Sequence, residues 1–536
     1  MKKAFLLTGI LLCVFNGVFA QEFNGAGTAE SPYLINNEED LARLAVLVNE
    51  GNTEGYESAA YRLTADIDLA DFGADATGWV PIGNYEFPFQ GQFDGGNHTI
   101  YNLTIKETYI KYAGLFGNVD SEDSEFKNIK FVGGEIQIDS DNTFLVTSYV
   151  GFLVGYINGK GIDNCSSTGD VTVTISSSSF SSAVAGGLVG YASSSISNCY
   201  ATGDIIATAS YSSSHVGGLV GSANSFISNC YATGDVTATA SDSYYSSYSC
   251  AGGLVGANYF SSINDCYATG GVTATASSSY AGGIVGYASS SPISDCYATG
   301  DVTATSSHSS TFVGGLVGYT DSSFSSFTIS NCYATGDVTA ISSDSYYSCA
   351  GGLVGNTNSN ITASVAANNS VTGENMGRMP HVGSIAGYAN QSTDIADCYY
   401  KETMVLDGGG SSDAVSGQSA TISELTSRAF YANLGWDMDE IWSIQEGISL
   451  PKLRAIPEQY TAIDTPKVPQ TTKARVYCEG NSIVIAGANT GETVWVYNLS
   501  GQLIQTQNIA SLQTTIALPR GIYIVKVGEA NFKIKN

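Results

Sequence analysis

Short apolar runs separated by polar residues and glycines fill the middle of this chain. Three such runs make up the copy that begins at Gly252, and they cover residues 253–256, 263–267 and 272–276. None shows the three-and-four apolar spacing of a helix, and their Ser, Thr, Val and Tyr content favours strands. In the third run Val272 and Ala274 alternate with Thr273 and Thr275. This alternation predicts a strand with Val and Ala turned inward and Thr turned to solvent.

The runs belong to a repeated phrase, Gly-Leu-Val-Gly followed by Asn-Cys-Tyr-Ala-Thr-Gly-Asp. Neighbouring copies of its first part, variants included, end 30 to 38 residues apart, a period that indicates a solenoid or an array. Propeller blades need longer repeats, whereas stacked short units bury one shared core. The pattern therefore predicts an all-β parallel β-solenoid (β-helix) of about one coil per 30–38-residue repeat. The copies end at Gly117, Gly155, Gly190, Gly221, Gly256, Gly286, Gly318, Gly355 and Gly387.

The two-part phrase resembles the GLUG-motif repeats of large surface and secreted bacterial proteins. The resemblance spans about Ala113 to Tyr400, and many copies carry both parts of the phrase. It implies a β-helical stalk or an adhesin-like module at the outer cell surface, and it implies no chemistry.

The segments before and after the repeats read differently. Residues 1–20 combine Lys2 and Lys3 with an apolar stretch and a small residue at Ala20, which predicts a secretory signal peptide. Residues 21–110 form the predicted N-terminal cap and first coils, with an amphipathic helix from Glu38 to Asn49. We assign residues 111–400 to the repeat solenoid, 401–457 to a distal cap and the proline-containing 458–472 to a linker.

Residues 473–536 predict a small C-terminal β-sandwich, because short alternating strands are separated by closely spaced turns. The phrases Val-Tyr-Asn-Leu-Ser-Gly (496–501) and Gly-Ile-Tyr-Ile-Val-Lys-Val (521–527) resemble the C-terminal sorting domain of type IX secretion cargo. The resemblance implies an outer-membrane secretion machinery as partner, and either release or attachment at the surface.

Composition narrows the choice of partners. The formal charge is −28, and no lysine or arginine occurs from Gly161 to Gly377. Nucleic acids and anionic membranes are therefore poor partners. No segment after the signal peptide is apolar for long enough to predict a membrane span.

Cysteines recur at one repeat position. Their parallel side chains are poorly disposed for disulfides, and no His or Cys-x-x-Cys partner suggests a metal, so we expect an inward ladder of free thiols. Cys250 and Cys349 lie elsewhere in the repeat, with Tyr280 and Phe312 at the two positions between them, and should not meet. The ladder comprises Cys165, Cys199, Cys230, Cys266, Cys296, Cys332 and Cys398.

The recurring aspartates are the main candidates for a catalytic site. A polysaccharide hydrolase or lyase on this fold needs converging carboxylates or a basic residue, whereas Asp170, Asp204, Asp235, Asp301 and Asp337 recur once per coil at a Gly-Asp turn. We therefore expect no enzyme, no catalytic or metal-binding residues and no cofactor. A carbohydrate-active enzyme stays as an alternative by fold analogy.

Three non-catalytic roles remain open, namely adhesion, ice binding and a simple spacer. Threonine pairs such as Thr273/Thr275, repeated in the coils on either side, could form an ice-binding array that we expect to break at Ile206 and at Ala340-Ile341. For adhesion to an unidentified glycan or to a host or matrix protein, the candidate contacts are edge-loop tyrosines, which could stack on a ligand. These are Tyr244, Tyr245, Tyr248, Tyr346 and Tyr347.

Overall fold

The computed structural model divides into two compact units, residues 1–459 and 460–536. It describes residues 23–456 with short gaps, and beyond them seven strands between 475 and 535. The predicted signal peptide and linker lie outside the described residues. The gaps are 52–53, 71–77, 109, 141–146, 177–181, 211–212, 242–246, 323–326, 344–346, 376–379, 391–392 and 409–414.

The first unit is the predicted parallel β-solenoid, with about nine coils. Each repeat makes one coil, and equivalent strands of successive coils pair in parallel and in register, as Val272 does with Val302. Five sheets run along the coils; we number them 1 to 5 in the order in which the chain visits them. Sheet 1 contains Tyr33–Ile35, Ala60–Leu63, Gln92–Asp94, Glu125–Lys127, Gly161–Asp163, Ser195–Ser197, Ile227–Ser228, Ile263–Asn264, Ile293–Ser294, Thr328–Ser330, Asn360–Thr362 and Ile395–Ala396.

Sheets 2 and 3 follow within each coil. Sheet 2 contains Ile67–Asp68, Thr99–Tyr101, Lys130–Val132, Ser166–Ser167, Tyr200–Ala201, Tyr231–Ala232, Tyr267–Ala268, Tyr297–Ala298, Tyr333–Ala334, Val365–Ala366, Tyr399–Lys401 and Gln418–Ala420. Sheet 3 contains Thr104–Glu107, Glu135–Ser140, Asp170–Ile175, Ile205–Ser210, Val236–Ser241, Val272–Ala276, Val302–Ser306, Val338–Ser342, Ser370–Asn375 and Val405–Asp407.

Sheets 4 and 5 complete the coil. Sheet 4 contains Tyr112–Ala113, Ser148–Val150, Ala183–Gly186, Ser214–Gly217, Tyr248–Gly252, Ser278–Gly282, Thr311–Gly314, Ser348–Gly351 and His381–Gly383. Sheet 5 contains Phe116–Asp120, Val154–Asn158, Val189–Ala192, Val220–Ala223, Val255–Tyr259, Val285–Ser289, Val317–Asp321, Val354–Thr357 and Ala386–Ala389.

A full coil thus has five strands where the sequence predicted three. The run 263–267 is divided because Asp265 adopts a left-handed backbone (φ 55°), which Asp and Asn tolerate better than most residues. The Gly-Leu-Val-Gly run is no single strand either: one strand ends at Gly252 and the next begins at Val255. The sheet 4 strand Tyr248–Gly252 lies in a serine- and tyrosine-rich stretch for which the sequence predicts an edge loop.

The core contains the residues that alternation placed there. Val272 and Ala274 are buried while Thr273 and Thr275 are exposed, as predicted. The nine cysteines from Cys165 to Cys398 are all free and buried. In the ladder, the backbone N–H of Cys199 donates to the sulfur of Cys230 at 3.4 Å, so sulfur atoms stack from coil to coil.

The N-terminal helix, which we label α1, spans Glu38–Asn49 and buries its apolar face in the solenoid core. The Asn37 side chain caps it by accepting a hydrogen bond from the N–H of Asp40 at 2.9 Å. A short 3₁₀ turn at Tyr56–Ser58 then leads into the second strand of sheet 1.

Residues 422–456, hereafter the flank segment, correct the prediction of a simple distal cap. This segment forms one apolar cluster with sheet 2 residues that include Tyr267, Tyr297 and Tyr333, because covering their stacked rings removes apolar surface from water. The indole N–H of Trp442 donates to Asp295 at 3.1 Å, across 147 positions of sequence. Its elements are the short helices Ile422–Leu425 (α2) and Arg428–Asn433 (α3) and an antiparallel pair, Trp442–Ser443 with Lys452–Leu453.

The second unit consists of two antiparallel sheets, as the predicted β-sandwich requires. Buried Ile485 and Ile516 in one sheet and Val494, Val496 and Val525 in the other supply its apolar interior. The three-stranded sheet contains Arg475–Glu479, Ser482–Ala486 and Gln513–Ala517, and the four-stranded sheet contains Leu503–Asn508, Thr493–Asn498, Ile522–Val527 and Ala530–Lys535.

Candidate binding surface at the corner of sheets 4 and 5

The last glycine of each Gly-Leu-Val-Gly motif lies where two strands approach closely. A Cβ atom added at Gly286 would lie 2.7 Å from both the backbone nitrogen of Ala251 and the carbonyl oxygen of Gly256, in the preceding coil. No side chain fits between them, so the position requires glycine. The strands of sheets 4 and 5 therefore meet at a sharp corner in every such coil.

Aromatic side chains line this corner from both sheets, and we call them the aromatic corner. Parallel pairing places equivalent residues side by side: Tyr280 pairs with Phe312 in sheet 4, and Tyr287 pairs with Tyr319 in sheet 5. An equivalent set occupies earlier coils. The aromatic corner thus comprises Tyr280, Phe312, Tyr287 and Tyr319, together with Tyr112, Tyr149, Tyr156 and Tyr191.

The rings of the two sheets contact one another. The centroids of Tyr280 and Phe312 are 5.5 Å apart with nearly parallel planes, and that of Tyr319 lies 5.6 Å from Tyr280 and 5.3 Å from Phe312. In the earlier set, Tyr156 and Tyr191 stack at 5.0 Å. Such arrangements add about 0.5–1.5 kcal/mol per aromatic pair beyond the burial of area, so the rings form a pre-ordered surface.

The half-buried tyrosines of the corner keep their phenol groups protonated. Burial, and then the nearby carboxylate of Asp321, raise the pKa of Tyr287 to about 12. The Tyr287 hydroxyl donates to Asp321 at 3.2 Å. At neutral pH the corner therefore presents apolar ring faces beside hydroxyl groups, which suits ligands with both apolar and hydrogen-bonding groups.

Two of the five predicted contact tyrosines lie beside this corner. Tyr248 and Tyr347 are 37% and 48% exposed, and their ring centroids lie 5.5 Å from His215 and 5.8 Å from His381. Burial lowers the pKa of His215 to about 4, so its imidazole is neutral at pH 7. Tyr244, Tyr245 and Tyr346 lie outside the described residues.

The sequence interpretation missed the eight residues of the aromatic corner. The candidates were tyrosines clustered in the serine-rich runs, whereas the corner residues occur singly, once or twice per repeat. The available signal was an aromatic residue directly after the last motif glycine, as in Gly-Tyr at Tyr191, Tyr287 and Tyr319, or directly before Ala-Gly-Gly, as at Tyr280. Only the register of the coils shows that the two positions adjoin.

The recurring aspartates are engaged in coil-to-coil hydrogen bonds. The carboxylate of Asp170 accepts from the N–H of Asp204 at 2.9 Å, and that of Asp204 accepts from Asp235 at 2.9 Å. Asp301 does the same for the N–H of Asp337. These carboxylates satisfy backbone donors of the next coil, which supports the interpretation of the Gly-Asp positions as turns.

Within the described residues, no group of three or more His, Cys, Asp and Glu side chains is arranged to hold a metal ion. In that same part of the chain, no helix has the length and apolar character needed to cross a bilayer.

Comparisons with known proteins found similar chains. Halomucin of Haloquadratum walsbyi is 33% identical over 161 residues, which are 28% of this chain, and the chain spans only 2% of that protein. A crystal structure of a “putative immunoglobulin A1 protease” from Bacteroides ovatus superposes with a TM-score of 0.36 at 20% identity, covering 81% of this chain and 95% of that one.

Two family models match separate parts of the chain. The model of the GLUG motif matches residues 181–206, 212–237, 247–273, 277–303 and 310–339. The model DUF6383, a domain of unknown function, matches residues 462–535. The resemblance to GLUG repeats is thus confirmed, and that to a type IX sorting domain stays a prediction. The chain therefore carries GLUG-motif repeats within a parallel β-solenoid, followed by a domain of unknown function.

Proposed function

We propose that this protein is a secreted, surface-displayed β-solenoid adhesin without catalytic activity, which binds a glycan or a protein through the aromatic corner. The observation that carries the proposal is the pre-ordered set of rings formed by half-buried Tyr280, Tyr287 and Tyr319 around buried Phe312. Exposed Tyr248 and Tyr347 extend this surface at its margins. The engagement of the recurring aspartates in backbone hydrogen bonds argues against a catalytic role for them.

The proposal includes export of the protein to the outer cell surface. Residues 1–20 would direct secretion, and residues 473–536 would engage an outer-membrane secretion machinery. The phrases quoted from residues 496–501 and 521–527 support this role for the C-terminal unit.

The double variant Tyr287→Ala/Tyr319→Ala tests the binding proposal. We expect the full chain to bind at least one ligand on an array of glycans and matrix proteins, and the variant to bind it about 5- to 100-fold more weakly. The loss follows from removing two rings worth about 0.5–1.5 kcal/mol each. Tyr85→Ala, at a 73% exposed tyrosine outside the corner, is the matched control and should leave binding unchanged.

The same wells report on catalysis through a reducing-sugar assay. Sugar release by the wild-type chain would overturn the non-catalytic part of the proposal. Equal binding by the double variant and the wild type would overturn the assignment of the corner.

Ice binding is a second candidate, because the threonine array is longer than the sequence suggested. Ile206 interrupts the first column and Ile341 ends the second after Thr305, as expected, whereas Ala340 points into the core. Successive threonines are spaced about 4.8 Å across coils and about 6.6 Å along each strand. The two in-register columns are Thr172, Ile206, Thr237, Thr273, Thr303, Thr339 and Thr372, and Thr174, Thr208, Thr239, Thr275 and Thr305.

A regular lattice of hydroxyl and methyl groups would order water at an ice surface. If the protein binds ice, its solution freezes at a lower temperature than that at which ice melts in it. Thr273→Lys, in the middle of the array, should abolish this gap between freezing and melting. Thr299→Lys, at an exposed threonine outside the array, should preserve it. A wild-type chain with no gap between freezing and melting would eliminate the candidate.

A further inference from the structure

One column of sheet 4 has a symmetric order of residue types. His215 pairs in register with Cys250, and at the other end Cys349 pairs with His381. Between the two cysteines lie Tyr280 and Phe312. Along successive coils the column therefore runs His, Cys, Tyr, Phe, Cys, His. The column thus contains two Cys–His pairs. In each pair the two residues lie on adjacent parallel strands, and the stacked rings of Tyr280 and Phe312 separate the two pairs.

These two thiols are not part of the inward cysteine ladder. Cys250 and Cys349 are buried, but the solenoid core contains their neighbours Ala251 and Ala350 and excludes them. Successive strand residues point to opposite faces, so both thiols lie on the side of the sheet that carries the aromatic corner. The core thus explains the seven ladder cysteines and leaves these two without a structural role.

Each Cys–His pair has a tyrosine ring beside its histidine. Tyr248 precedes Cys250 by two positions, and Tyr347 precedes Cys349 by two positions. Each ring contacts the histidine of the pair, at 5.5 Å for His215 and 5.8 Å for His381. The two arrangements thus match in three residues, although the histidine comes before the cysteine in one and after it in the other.

The imidazole of His215 has a nitrogen available for a ligand. Its Nε2 atom is buried and has no hydrogen-bond partner in the structure. A buried polar atom without a partner costs about 1–3 kcal/mol, which a bound cation at that atom would recover.

We propose that each Cys–His pair, Cys250 with His215 and Cys349 with His381, is a two-coordinate site for a soft monovalent metal ion of the Cu(I) type. In-register residues on adjacent parallel strands lie about 4.8 Å apart. Typical metal–sulfur and metal–nitrogen bonds of about 2.3 and 2.0 Å give a linear sulfur–metal–nitrogen unit a span of about 4.3 Å. Cys and His side chains that leave adjacent strands in register on the same face are therefore spaced closely enough for one ion to join their donor atoms.

The donor set selects the class of ion. Thiolate and imidazole are the soft and intermediate ligands that favour Cu(I). Ions that demand four protein ligands do not fit, since no larger His, Cys, Asp or Glu group is found among the described residues. Binding replaces the thiol proton with the ion and releases that proton to solvent, with no change of oxidation state. This metal function goes beyond the proposed adhesion and does not depend on it.

The test titrates the full chain with Cu(I) under anaerobic, reducing conditions against a chromogenic Cu(I) chelator. Other cysteines can also take up copper, so the readout is the difference on changing a histidine. We expect His215→Gln and His381→Gln each to retain one equivalent less than the wild type, and the double variant two less. His308→Gln carries the same change at a histidine with no cysteine in register, and should match the wild type.

X-ray absorption at the copper edge supplies an independent readout. Comparison of the wild type with the double variant should assign one sulfur and one nitrogen to each copper that the variant loses. Cys250→Ser, which removes the other ligand, should lose the same equivalent as His215→Gln and keeps the test open if the histidine variant misfolds. Copper retention that is equal in the double variant and the wild type, or a difference signal with sulfur ligands alone, would overturn the proposal.

Discussion

Replacement of Trp442 by alanine should detach the flank segment and lower the free energy of unfolding by about 3–5 kcal/mol. The Trp442 side chain is fully buried, and its ring lies 4.6 Å from Trp436 and 6.1 Å from Tyr333. Its indole N–H also satisfies the buried carboxylate of Asp295. The truncation therefore removes a large apolar contact and leaves a buried acceptor with one partner fewer.

Limited proteolysis with trypsin measures this release directly. The flank segment contains Arg428, Lys452 and Arg454, whereas the chain from Gly161 to Gly377 has no lysine or arginine. We expect rapid cleavage within 422–456 in Trp442→Ala, together with a lower thermal midpoint. Ile448→Ala, at a 70% exposed residue of the same segment, should change stability by less than about 0.5 kcal/mol. Equal cleavage rates for wild type and Trp442→Ala would show that the segment is held by other contacts.

The periodic part of the fold could be predicted because every repeat carries the same strand pattern. Alternation in Val272–Ala276 gives the inward face, and the same phrase in the next repeat gives the pairing partner and its register. The seven ladder cysteines were placed correctly for the same reason, since a residue repeated at one position must stack on itself. In a solenoid each repeat pairs with the next one, so the pattern within one repeat predicts both its strands and their pairing partners.

The flank segment and the aromatic corner do not follow from such patterns. Trp442 meets Asp295 across 147 positions, and no repeat links the two. The corner joins Tyr280 to Tyr319 of the next coil, a contact that depends on how sharply the chain turns at the motif glycines. Three strands were predicted where five exist for two reasons. A left-handed Asp or Asn, unlike a proline, leaves no obvious break in an apolar run, and the strand Tyr248–Gly252 lies in a polar stretch typical of loops.

The sharpness of that turn leads to the second large effect. Gly286→Ala should destabilise the solenoid by about 3 kcal/mol, because the added methyl group would lie 2.7 Å from the nitrogen of Ala251 and 2.7 Å from the oxygen of Gly256. Both are backbone atoms within paired strands, and they cannot rotate away as a side chain could. Relief requires the corner to open, which weakens pairing in two neighbouring coils.

Chemical denaturation of the full chain checks this expectation, with Gly271→Ala as the matched control. A Cβ atom at Gly271 would make only ordinary contacts, the nearest at 3.4 Å to the Asp235 carboxylate, and its backbone is not left-handed. That variant should be unchanged or more stable by up to about 1 kcal/mol, because alanine restricts the unfolded chain. If the two alanine variants unfold at the same denaturant concentration, the motif glycines do not set the corner. A selective loss at Gly286 would identify close backbone approach as the reason that Gly-Leu-Val-Gly recurs, and with it the origin of the surface on which the aromatic rings converge.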